Sequence, residues 1–193
     1  MTTHNNAAAI AVKWREEETV VKTNPVHQLT IVPMAMALRN MADIMDKAER
    51  HATASDIPLD RYLQARLFPN MFNFLQQVQY VCYLAVDYAR HFSSATPPRV
   101  GYDEATWPEL RQSLAIAADF LEAISPETAA EQADKTVPTF MNSKQGMSAI
   151  DYAASVIIPD LHFHTVIAYA LLRHNGVPLG KSDYLGKLKT VEV

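Results

Sequence analysis

Ile158–Gly180 reads IPDLHFHTVIAYALLRHNGVPLG, an apolar helical pattern interrupted by Pro159, Asp160, His162 and His164 and closed by Asn175-Gly176 with Pro178 beyond. A glycine past the last turn and a proline after it are the usual end of a helix. Acid and imidazole groups inside an apolar helix are costly to bury unless they are paired or used. Asp160 and His164, four residues apart, share one helical face, and His162 is turned well away from both. Such a pair can ligate a metal, position a substrate or hold a buried hydrogen bond.

Working towards the N-terminus, Ser148 and Asp151 give a start signal for this helix. A long link precedes it, in which KTVPTF and a turn at Asn142 to Gly146 predict a small hairpin, with Pro138 confining its first strand to an edge. Thr106-Trp107-Pro108-Glu109 has the form of a capping box and opens a helix to about Ile124, buried along Leu110, Leu114, Ala117, Leu121 and Ile124. Another helix is expected from near Pro69 through Phe92, since proline is harmless in a first turn. TASDIPLDRYLQARLF reads as a connection with one short helical turn. The first helix is expected from Val26 to about His51, with Leu29, Val32, Met36, Ile44, Met45 and Ala48 inward and Pro33 near its start or at a kink. Four long helices with a long third connection predict an all-α four-helix bundle. Residues 1–25 are expected as an N-terminal extension, mobile or partner-docked, read as a disordered tail with a short helix around Ile10 to Val20 as the alternative; 26–186 form the bundle and 187–193 a C-terminal tail.

With 193 residues, 49% of them hydrophobic, the chain suits one well-buried core. A net charge of −4 without a Lys/Arg cluster excludes a general nucleic-acid binder and favours a small-molecule or protein partner. The single cysteine, Cys82, lies in an apolar run, which predicts an inert buried thiol and no internal disulfide. No apolar run reaches the roughly 20 residues of a membrane span and no basic-then-apolar leader is seen, so a cytoplasmic protein is expected.

The runs LRHNGVPLGKSDYLG, PDLHFHTVIAYA, ARLFPNMFNFLQQVQ and MDKAERHA together resemble the domain-of-unknown-function family numbered nineteen ninety-three, over about residues 26 to 186. That family is similar in fold to the DinB and YfiT-like four-helix bundles. Members of the wider group often hold a divalent metal on three histidines, one from the second helix and two spaced four apart on the fourth, and some transfer thiols or isomerise thiol adducts. Matched through the shared Leu-Arg-x-x-Gly-Val ending, the resemblance implies Asp160 and His164 at the fourth-helix positions and Gln77 at the second-helix one. A Gln–Asp–His set is a weak substitute for three imidazoles, because an amide oxygen is a poor transition-metal ligand. Cofactors therefore stay unknown; a divalent metal, if present, would use Gln77, Asp160 and His164.

The candidate catalytic residues are His164 and Asp160, and the candidate substrate-binding residues are Gln77, Tyr169 and His162, with Tyr80 a further hydroxyl within range. Each also has a structural explanation: His164 as a core histidine satisfied by a carboxylate, Asp160 bonded to backbone freed by Pro159, the tyrosines as amphipathic core residues. In the tail GVPLGKSDYLG, Leu179, Tyr184 and Leu185 can anchor a segment that roofs a cavity, and Met34, Met36, Met41 and Met45 can supply an adaptable wall. Two functions fit. One is an enzyme of small-molecule metabolism, of isomerase, transferase or lyase type, using His164 with Asp160 in a central, partly polar pocket. The other is a noncatalytic binding or dimerisation module with a filled core and an apolar surface patch. A homodimer is expected.

Overall fold

Pro33 and Pro159 each follow a wide helical turn of π type, His27–Ile31 and Ala153–Ile157. A proline inside a helix lacks its N–H and presses on the carbonyl four residues back; a turn with one extra residue relieves both problems. The computed structural model describes residues 26–139, 142–188 and 190. The expected N-terminal extension over 1–25, with the alternative of a short helix around Ile10 to Val20, and most of the 187–193 tail lie outside them.

After the first wide turn, helix α1 (Val32–Ala54) buries Met34, Ala35, Leu38, Met41, Ile44, Met45, Ala48 and Ala52. The expected inward positions Leu29 and Met36 are exposed instead, at 64% and 41%, and Val32 is half-buried. These three share a face roughly opposite Met45 and Ala48. The N-terminal half of α1 thus carries two apolar faces, and the sequence pattern had merged them.

The short helix α2 (Leu59–Leu63) occupies the expected connection. Helix α3 (Phe74–Ala89) begins at Phe74 and not at Pro69, because Asn73 and Gln76 form a capping box: Gln76 N donates to the Asn73 side chain at 2.9 Å, and Asn73 N donates to Gln76 Oε1 at 3.1 Å. Helix α4 (Trp107–Glu122) starts at the expected Thr106 and Glu109 box. Its link contains an unexpected helix α5 (Pro126–Gln132), capped by Ser125.

Strands β1 (Thr136–Thr139) and β2 (Asn142–Ser148) form the predicted antiparallel hairpin, pairing Val137 with Met147 and Pro138 with Gly146. Thr139 pairs with Asn142, and residues 142–146, expected as the turn, belong to β2 instead. Both strands are edges of a two-stranded sheet, which is why Pro138 is tolerated. Gly146 is required by close approach: a Cβ there would come within 2.5 Å of Thr136 Cγ2.

Ser148 then caps α6 (Ala149–Tyr152), accepting from Asp151 N at 3.2 Å. Through the second wide turn α6 continues into α7 (Ile158–His174), which ends at Gly176 with φ +93°. A final helix, α8 (Lys181–Leu185), packs on α1. Helices α1, α4, α3 and α7 pack in that cyclic order. Val78, Val81, Cys82, Ala85, Leu114, Ala117, Leu161 and Ala168 are among the residues that fill the core.

The continuous helix Ala149–His174 corrects one expectation: at 26 residues, with an 18-residue window of mean hydropathy 1.4, it is long and apolar enough to cross a membrane. Its composition has another use in the fold. Leu161, Ile167, Ala168, Leu171 and Leu172 are buried in the bundle, and Asp160 and His164 sit mid-helix against α3.

Candidate functional site

The two α7 residues face two residues of α3. His164 Nδ1 lies 2.6 Å from Gln77 Oε1, His164 Nε2 lies 3.3 Å from Asp160 Oδ1, and Tyr80 Oη donates to Asp160 Oδ2 at 2.9 Å. Helical spacing does this twice over: Asp160 and His164 are one turn apart on α7, as are Gln77 and Tyr80 on α3. Gln77 is fully buried, while His164 and Asp160 keep some exposure.

One backbone atom settles the proton arrangement. Gln77 Nε2 donates to the Phe72 carbonyl at 3.1 Å, and a carbonyl can only accept. The amide is thereby oriented with its oxygen towards His164, so Nδ1 must carry the hydrogen. In the neutral ring Nε2 is then a lone pair, and it faces a carboxylate oxygen, itself an acceptor. The pair Nε2 and Oδ1 lacks a shared proton or donor.

Burial lowers the His164 pKa below the ordinary histidine value, and the neighbouring Asp160, which pulls the other way, does not cancel it. Burial, reinforced by the bond to Asp160, raises the Tyr80 phenol well above its usual range, so Tyr80 stays a donor. Aromatic groups wall the imidazole: Tyr80 at 4.4 Å between centroids, Phe163 edge-on at 5.1 Å and Phe72 at 5.9 Å.

His162 and Tyr169 do not join this cluster. His162 Nδ1 lies 2.9 Å from Tyr184 Oη, and the Tyr169 ring meets the Tyr184 ring edge-on at 6.0 Å. Both belong to the α7 face turned towards α1 and α8. The expected central pocket is also revised. The His164 cluster sits in the seam between α3 and α7, beside a cleft of about 260 Å³ that shares Phe72 and Tyr80 with it and is otherwise lined by Gln76, Gln79, Tyr83, Gly101 and Tyr102. Cys82 is fully buried, and burial raises its thiol far above the reactive range, as the apolar run had implied.

The metal set implied by the family resemblance does not fit this geometry. Gln77 oxygen is on the Nδ1 side of His164 and Asp160 on the Nε2 side, so the three do not converge on one point. The pair left on one side, Nε2 and Oδ1, falls short of the three protein ligands of a typical catalytic centre. Among the described residues no group of three His, Cys, Asp or Glu side chains is placed to hold a metal ion.

The sequence patterns found His164, Asp160 and, through the resemblance, Gln77. The Phe72 carbonyl was missed. The one available signal was the Asn73 and Gln76 capping box, which would have placed Phe72 just before the first turn of α3, within reach of Gln77.

The profile described as "Domain of unknown function (DUF1993)" matches residues 26–185. The chain belongs to this family. The matched span of this DUF1993 chain runs to Leu185, the last residue of α8, so α8 is part of the domain. The crystal structure of a DinB family member protein from Shewanella denitrificans is similar to it, with a TM-score of 0.79 and 33% identity over 86% of this chain and 95% of that one. No curated protein matches the chain.

Proposed function

We propose that this DUF1993 chain binds a small molecule in the seam between α3 and α7, and that His164 Nε2 acts there as a general base. The observation that carries this reading is the 3.3 Å approach of Nε2 to Asp160 Oδ1, two acceptors left facing each other once the Phe72 carbonyl has fixed Gln77. A ligand bearing an N–H or O–H group supplies what both lack. A proton passed to Nε2 is then held between the ring and the carboxylate, while Tyr80 keeps Asp160 in place. Phe72, Tyr80 and Phe163 favour a flat apolar body next to that polar group. Proton abstraction of this kind suits an isomerase, a lyase or a transferase. DinB-type chemistry on three metal-bound histidines is not part of the reading.

Benzamidine, a flat ring with N–H donors, is a suitable probe. Histidine ¹⁵N spectra at pH 7.5 are expected to show His164 protonated at Nδ1, and benzamidine should shift its Nε2 resonance saturably in the native chain. The reading fails if His164 is protonated at Nε2 in the free protein, or if benzamidine and related amidines leave its resonances unmoved.

A homodimer has its own support. Phe163 and Val166 are exposed on α7, and Leu29 in the wide turn before α1. Large apolar side chains left exposed are what a contact between two copies would cover. Analytical ultracentrifugation tests this: a monomer at tens of micromolar, unaltered by Phe163→Ser, removes the dimer.

A further inference from the structure

The His164 seam leaves a second polar group on α7 without a task. A cavity of about 270 Å³ lies between α1, α7 and α8, with Pro33, Met36, Ala37, Met41 and Ile44 along α1 and His162, Thr165, Tyr184 and Leu185 across from them. Its size is nearly twice that of the roughly 150 Å³ apolar cavity known to take benzene, which suits one or two fused rings. Met36, turned away from the core, forms part of the cavity wall.

The polar edge has a definite donor order. Thr165 Oγ1 donates to the Leu161 carbonyl at 2.9 Å, so towards Tyr184, at 3.3 Å, it can only accept. Both contacts carry a hydrogen only when Tyr184 Oη donates to Thr165 and His162 Nδ1–H donates to Tyr184 Oη at 2.9 Å. A neutral His162 then has Nε2 as a free acceptor at the cavity rim.

Three contacts fasten α8 across the cavity. Lys47 Nζ pairs with Asp183 at 3.0 Å, Asn40 Nδ2 donates to the Tyr184 carbonyl at 3.1 Å, and Gly186, at φ +66°, lies where any side chain would collide with Asn40. The roof is therefore a built part of the fold and not a loose end.

We propose that the α1–α7–α8 cavity is a binding site, separate from the His164 seam, for a one- or two-ring apolar molecule carrying a single hydrogen-bond donor that His162 Nε2 accepts. Indole is the probe and 1-methylindole, which lacks the donor, its control. In the full chain labelled with ¹³C-methyl methionine, indole is expected to shift the Met36 and Met41 methyl resonances saturably. The control should bind about fivefold more weakly, the effect of one neutral hydrogen bond. His162→Ala should abolish that difference, and Ala37→Phe should abolish binding by filling the space. Met36→Trp, at the exposed rim, provides a second filler with Met41 still reporting, should Ala37→Phe fail to fold. His164→Ala should leave indole binding unchanged, which separates this site from the seam. No saturable shift at millimolar indole overturns the proposal, as do shifts that survive the folded fillers or equal binding of the two probes to the native chain.

Discussion

Tyr80 Oη donates to Asp160 Oδ2 at 2.9 Å and ties α3 to the first turn of α7 across the seam that holds His164. Because Asp160 also faces His164, this bond competes with the imidazole for the carboxylate. Tyr80→Phe is expected to release Asp160 towards His164 and raise the His164 pKa, read by NMR titration of the ring protons. It should also cost about 1 kcal/mol in stability, the usual worth of one partly exposed hydrogen bond. An unmoved or lowered His164 pKa removes Asp160 as the group that Tyr80 restrains.

Burial holds the folded-state pKa of His164 below the ordinary value of 6.5. Between those two values the unfolded chain binds more protons than the folded one, so stability rises with pH across that window. The favourable contribution is fully present above the ordinary value and is lost as pH falls through the folded one. Urea unfolding should therefore show a fall in stability from pH 7.5 to 5 that is smaller in His164→Gln. His91, also lowered by burial and by Arg90, contributes in the same direction, so the comparison must be between native and variant chains.

Gln77 and Asp160 flank opposite nitrogens of His164. Protein prepared without chelator or polyhistidine tag should carry far less than one divalent ion per chain by mass spectrometry of the metals. One ion per chain, lost in His164→Ala, would mean that the seam rearranges around a metal.

Asn73 has a double duty, capping α3 and, through Nδ2, donating to Gln64 at 3.0 Å. Asn73→Ala should cost about 1 to 2 kcal/mol in denaturant unfolding, the range for a lost cap. It should also loosen the Phe72 carbonyl that orients Gln77, so the His164 ring protons are expected to shift although the substitution does not touch the imidazole. A stability loss with unchanged His164 signals would uncouple the cap from the site.

What was legible in the sequence was local. Thr106 with Glu109, Ser148 with Asp151, and Asn175-Gly176 before Pro178 are start and stop signals whose chemistry is completed within a turn or two, and each bounds a helix as expected. The opposition of His162 to His164 followed from helical spacing alone. Pro69 misled because a proline suits many places besides a first turn, and the Asn73 box lay just beyond it. Leu29 and Met36 misled because α1 is apolar on two sides, and periodicity cannot say which side meets the core. The orientation of Gln77 was out of reach, since it depends on a carbonyl whose direction the preceding bend determines. So was the assignment of Tyr169, which turns on a ring that α8 brings back from far along the chain.

The wide turn at Ala153–Ile157 holds one residue more than an ordinary helical turn. The extra residue is absorbed within the turn, so the chain on either side keeps its facing. Excising a single residue there would close it into an ordinary turn and leave Asp160 and His164 towards Gln77 and Tyr80, whereas the same excision between Asp160 and His164 would swing one about 100° relative to the other. In relatives of this chain, a gap at the wide turn leaves the seam standing and a gap one turn later breaks it.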